Sequence, residues 1–135
     1  MKAFVIDDDK LSVFLTQSIL NLDAATQCVD TFLSAEAALD ALAALKETDM
    51  PDVIFLDLNM PLMDGWDFLD ALTSDRLYAE KEFNIYVLTS SLDLSDSVKA
   101  ETYSIVSGFL HKPISSEDVS LIYSRIELQK KAEVR

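Results

Sequence analysis

Glycine is nearly missing from this chain, with only Gly65 and Gly108 among 135 residues. No G-x-x-x-x-G-K-[ST] run exists, so a phosphate-cradling nucleotide switch is disfavoured. Proline is also scarce, with three residues, and no Pro/Gly/Ser-rich linker divides the chain. Cys28 is the single cysteine, which excludes an intrachain disulfide and fits a reducing cytoplasm. His111 is the single histidine and lacks the partners that histidine chemistry needs. Basic residues are outnumbered, 11 against 24 acidic, for a formal net charge of −13. Such a chain repels nucleic acid and anionic membrane unless a local basic patch overrides the total. The densest basic stretch is Lys130-Lys131, which reads as a solvated helix end, so direct nucleic-acid binding is not expected. Apolar runs are short. The N-terminal one, Ala3 to Ile6, cannot serve as a signal-peptide core, and none approaches the ~18 residues of a membrane span. These absences point to a soluble, cytoplasmic protein that does not bind membrane.

What is present suits one domain of this length, half of it hydrophobic. Short apolar runs alternate with helical patterns. Strands are expected at Ala3–Ile6, Gln27–Phe32, Val53–Leu56, Ile85–Leu88 and Phe109–Leu110. The first helix is read with Leu11, Phe14, Leu15, Ile19 and Leu22 on its apolar face. Ser34 can cap a second helix carrying Ala38, Leu42 and Leu45, and Asp64 a third carrying Trp66, Leu69 and Leu72. A weaker pattern spans Ser95–Ser104. Ser115 or Ser116 opens the last helix, with Val119, Ile122 and Ile126 on its face. Five alternations of apolar strand and amphipathic helix argue for an α/β fold: a parallel sheet covered on both faces, a three-layer sandwich.

The informative residues follow the strands. The first run ends in Asp7-Asp8, the third in Asp57, the fourth in Thr89-Ser90, and the fifth, one residue on, in Lys112-Pro113. In an open parallel sheet these carboxyl ends share one edge, where ligands of such folds bind. Three carboxylates, a hydroxyl and an ammonium therefore converge. Clustered carboxylates raise one another's pKa, and a hard divalent cation such as Mg²⁺ relieves the repulsion while accepting phosphate oxygens. A carboxylate beside such a cation and a lysine is a plausible nucleophile toward a phosphoryl group.

The motifs Ile6-Asp7-Asp8, Asp57-Leu58-Asn59-Met60-Pro61-Leu62-Met63-Asp64-Gly65, Leu88-Thr89-Ser90 and Gly108-Phe109-Leu110-His111-Lys112-Pro113 resemble, in order, the receiver domains of response regulators, including chemotaxis-type single-domain members. The resemblance covers roughly Lys2 to Leu128, and its D-x-x-M-P-x-M-D-G segment is highly specific. It implies a doubly wound (βα)₅ sandwich with a flavodoxin-like five-stranded sheet in the order 2-1-3-4-5. It further implies a single receiver domain over 1–130, a tail over 131–135, and no output domain. Asp57 would be the phosphoacceptor in two-component signalling. Asp7, Asp8, Asp57 and the backbone carbonyl of Asn59 would hold Mg²⁺. Thr89 would hydrogen-bond the phosphoryl group and Lys112 would pair with it, while Thr89 and Phe109 would act as the switch. The Lys112-Pro113 peptide would be cis. The phosphodonor would be a histidine kinase or histidine phosphotransfer protein. Output would pass to a downstream protein the sequence does not name, or onward by phosphotransfer, and homodimer formation stays open. The chain would catalyse only its own phosphorylation and dephosphorylation. Two departures matter. Phe109 stands where many members carry tyrosine, so no phenol hydroxyl is available for switching. Asn59 and Ser91, which would flank the path of attacking water, are weak bases, so autodephosphorylation should be moderate rather than very fast.

Blander readings apply to several residues. Asp9 reads as a helix cap, Asp64-Gly65 as a turn, Cys28 as a half-buried strand residue, and Trp66 as helix-face packing that could report on the site by fluorescence. A haloacid-dehalogenase-like phosphatase would need an aspartate where Asn59 stands, plus a cap domain. A receiver that binds without phosphorylation is disfavoured by the complete residue set.

Overall fold

The computed structural model describes residues 1–75, 78, 82–90 and 94–133. Five strands and five helices alternate: β1 (Lys2–Ile6), α1 (Lys10–Leu22), β2 (Cys28–Phe32), α2 (Ala35–Ala44), β3 (Val53–Asp57), α3 (Gly65–Ser74), β4 (Ile85–Thr89), α4 (Leu94–Glu101), β5 (Val106–His111) and α5 (Ser116–Glu133). All neighbouring strands are parallel, in the order β2-β1-β3-β4-β5. The expected fold and strand order are both present.

The sheet is covered on both faces because its strands are apolar on both. Residues alternate sides along a strand. Ala3, Val5, Val53, Phe55, Tyr86 and Leu88 meet α1 and α5 through Val13, Leu20, Val119, Ile122, Tyr123 and Ile126. Phe4, Ile6, Ile54, Leu56 and Ile85 meet α2 and α3 through Ala38, Leu42, Phe68, Leu69 and Leu72. Each fully buried Leu, Ile or Phe contributes roughly 1.5–3 kcal/mol of transfer free energy, so this two-sided burial is the main force holding the strand ends in register.

The helix starts are fixed by side chains. Asp9 caps α1, accepting from the N–H groups of Leu11 and Ser12. Ser34 caps α2. Asp64 and Asp67 form a reciprocal capping box on α3, and Ser115 and Asp118 exchange the same pair of bonds at the start of α5.

Three expectations are corrected by the structure. The apolar stripe of α1 does not face the core: Leu11, Phe14, Leu15 and Leu22 are exposed. The buried side is Val13, Thr16 and Leu20, with Ile19 partly buried beside it. Positions 13, 16 and 20 make a second row at helical spacing, and the Asp9 cap and the sheet select which row turns inward. Strand β5 is longer than Phe109–Leu110 because Ser107 and Gly108 interrupt its apolar run without ending it. Gly108 is required there: a Cβ would lie 2.7 Å from Cε1 of the Tyr86 ring. Cys28 is exposed at the start of edge strand β2. Helix α5 runs without a break from Ser116 to Glu133.

Candidate functional site

Backbone hydrogen bonds carry the register past the strand ends and so place the site. Asp57 is the last residue of β3, opposite Leu88. Thr89 is the last residue of β4, opposite His111. The Asp7 N–H donates to Phe32 O at 3.0 Å, and the Lys112 N–H to Thr89 O at 2.8 Å. Asp7 and Lys112 are thus held as firmly as strand residues although each lies one step beyond its strand.

The side chains converge. Asp7, Asp57 and Thr89 are all buried, at 2%, 6% and 0% exposure, whereas Asp8 is exposed. Lys112 Nζ lies 2.6 Å from Asp7 Oδ2 and 3.3 Å from Asp57 Oδ1. The other Asp7 oxygen accepts the Asp9 N–H at 3.0 Å. One carboxylate oxygen each from Asp7, Asp8 and Asp57 falls within 4.8 Å of the others, the one such acidic cluster among the described residues. Asn59 lies in the loop after β3 with its side chain exposed. Phe109 is partly buried on β5, its ring edge-on to His111 at 5.8 Å. The Lys112-Pro113 peptide is cis. Ser91 lies outside the described residues.

Burial, reinforced by the charge of Asp7, pushes the Asp57 carboxyl up to about 6; Lys112 opposes the rise and Asp8 adds to it. Burial acts to lower the Lys112 ammonium, but the hydrogen bond to Asp7 and the charges of Asp57 and Asp7 outweigh it, so its pKa rises. Two buried carboxylates therefore share one ammonium. The donor set is all oxygen, compact and over-acidic, which fits a hard divalent cation.

One contributor looks in the sequence like no more than a turn residue. Gly65 opens α3, and its N–H donates to Leu58 O at 3.0 Å. A Cβ there would sit 2.7 Å from Asp57 O and 2.8 Å from Leu58 Cα. The missing side chain lets α3 start directly against the strand end that bears Asp57. Leu62, in the same loop, has φ 68 and is 96% exposed, a left-handed backbone held by a non-glycine residue. The glycine was visible in the sequence, but its contact with β3 is long-range and carries no local signal.

The family model described as the response regulator receiver domain matches residues 3–123. The chain belongs to that family. Its structure is similar to a two component response regulator from Cytophaga hutchinsonii, with TM-score 0.85 at 27% identity, covering 93% of this chain and 95% of that one. A response regulator receiver protein from Dyadobacter fermentans gives TM-score 0.77 at 30% identity, covering 97% and 96%. Among curated relatives, a protein-glutamate methylesterase/protein-glutamine glutaminase from Rhodospirillum rubrum is 32% identical over 127 residues, 93% of this chain and 31% of that protein. The chain thus spans less than a third of the length of the first curated relatives it matches. It is a receiver domain of the two-component response regulator type. Among the described residues, no helix is long and apolar enough to cross a membrane.

Proposed function

We propose that Asp57 of this receiver accepts a phosphoryl group from a phosphohistidine on a histidine kinase or phosphotransfer protein. The observation that carries the reading is Lys112, whose ammonium spans Asp7 and Asp57 at 2.6 and 3.3 Å on the edge where β3 ends. A carboxylate oxygen of Asp57 would attack phosphorus in line. The phosphorus–nitrogen bond breaks, the imidazole leaves with its electron pair, and an acyl phosphate remains. Lys112 would transfer its contact from the Asp57 carboxylate to the phosphoryl oxygens. Thr89, buried at the next strand end, would donate its hydroxyl to one of them. Asp7, Asp8, Asp57 and the backbone carbonyl of Asn59 would hold Mg²⁺, which when bound supplies positive charge against the transferring oxygens.

The added charge on Asp57 would shift an existing conformational equilibrium, with Thr89 and Phe109 as the moving parts. The protein would act in the cytoplasm through a protein partner or onward phosphotransfer. It would catalyse only changes in its own phosphorylation. The esterase chemistry in the names of its longer relatives is not assigned to it.

Incubation with a small acyl-phosphate donor and Mg²⁺ should add one phosphoryl group to the wild type, read by intact mass, and none to Asp57→Ala. Equal labelling of the two would overturn the assignment. With Asn59 beside the site and no strong base, the phosphoryl group should persist well beyond seconds, measured by its decay after donor removal.

A further inference from the structure

Helix α4 is thinly anchored. Ala100 is its only buried residue, and Leu94 and Val98 are exposed. What ties it sideways to α3 is a four-residue cluster. Lys99 Nζ sits 4.6 Å from the centroid of the Trp66 ring. Tyr103, just past the end of α4, stacks on the same indole at 5.6 Å with 28° between the planes. Its hydroxyl donates to Asp70 Oδ1 at 2.9 Å. Trp66 and Asp70 are four apart on α3, and Lys99 and Tyr103 are four apart at the end of α4. Each pair therefore presents from one side of its segment, and the two pairs close on each other.

The α3 half of this cluster is tied to the site. Trp66 follows Gly65, whose N–H bonds Leu58 O and whose lack of a Cβ leaves room for Asp57 O. The α4 half follows Thr89 in the chain, with α4 beginning at Leu94. We propose that Trp66–Lys99 and Tyr103–Asp70 form a latch that holds α4 against α3 in the unphosphorylated protein and sets the resting population of its signalling conformer. The inference rests on the phosphoacceptor reading above. Phosphorylation would draw Thr89 toward Asp57 and pull on the start of α4, while the latch resists from the other end. Cation–π, stacking and charge-assisted hydrogen-bond contacts of this kind each shift a two-state equilibrium by roughly two- to tenfold. A ligand that binds only the minor state then binds more tightly once the latch is loosened.

Trp66 is the only tryptophan, so the emission comes from the ring shared by the latch and adjoining the site, and calorimetry supplies the affinity independently. The test uses beryllofluoride, a phosphoryl mimic, with Mg²⁺, followed by calorimetry and by Trp66 fluorescence. The variants are Lys99→Gln, Tyr103→Phe and the pair combined, with Asp70→Asn as an independent way to weaken the same hydrogen bond. Circular dichroism confirms that each is folded. The wild type should bind beryllofluoride with a change in Trp66 emission. The combined variant should reach half-saturation at roughly three- to tenfold lower beryllofluoride, read by calorimetry. If the wild type binds and the variants bind equally or more weakly, the latch is overturned while the phosphoacceptor reading stands. If the wild type does not bind, that reading fails and the latch falls with it.

Discussion

Asp57 is ionised at neutral pH against the preference of its surroundings. Its folded pKa of about 6 lies above the ordinary 3.8, so the folded state holds this proton more tightly than the unfolded chain does. The stability gained from that proton is complete below about pH 4 and is lost as pH rises through about 6. A shift of about two units corresponds to at most about 3 kcal/mol at neutral pH. In cation-free buffer Asp57→Asn should therefore be more stable than wild type at pH 7, by about 1–3 kcal/mol in urea unfolding, and the gap should close toward pH 4. Lys112 presents the opposite case. Lys112→Ala leaves Asp7 buried without its ammonium and should cost about 3 kcal/mol in the same measurement. Asp52 carries no such tension. It sits at the other end of β3, accepts the Lys2 N–H at 2.7 Å and pairs with Lys130 at 2.5 Å. Burial works to raise its pKa, but Lys130 and the Lys2 N–H bring it net below the usual carboxylate range. That makes it a structural tie rather than a nucleophile.

At the scale of elements, the site depends on how closely α3 can approach β3. Gly65→Ala would push a methyl group into the Asp57 carbonyl and the Leu58 backbone, with no flexible side chain to yield. The expected outcome is a loss of about 1–3 kcal/mol in stability and slower phosphorylation from the small donor, read by unfolding and intact mass. How much of this was legible in the sequence follows from the range of each interaction. Strand ends were legible, because an apolar run stopping at a carboxylate is a local signal. Asp7, Asp57, Thr89 and Lys112 were found that way, and the caps Asp9, Asp64 and Ser34 by the same logic. The outward turn of α1 was not. Leu11, Phe14, Leu15 and Leu22 have the better periodicity, yet Val13, Thr16 and Leu20 are buried, because the sheet rather than the helix decides the facing side. The need for Gly108 was hidden likewise, since its reason is the Tyr86 ring on the neighbouring strand, and the full length of β5 is set by its pairing with β4 across the polar Ser107.

For the whole molecule, the excess of acid has two addresses. Part of it, Asp7, Asp8 and Asp57, is gathered at one edge of the sheet, where a cation would neutralise it. Much of the rest is spread over the exterior. Helix α1 departs from that pattern: positions 11–22 hold no charged residue, although 26% of the chain is charged. Its outer side, with Leu11, Phe14, Leu15 and Leu22 exposed, is an uncharged and mainly apolar strip along a strongly anionic body. Colloidal behaviour should follow from that contrast. At neutral pH the net charge of −13 keeps copies apart. Near the isoelectric point of about 4.2 that repulsion vanishes and the strip becomes the adhesive surface. Light scattering should rise steeply as pH approaches that value. Phe14→Lys should delay the onset beyond what one added charge does at an exposed polar position away from α1, such as Ser74→Lys on α3. The side of α1 that the core rejected would then set how concentrated this protein can become in acid.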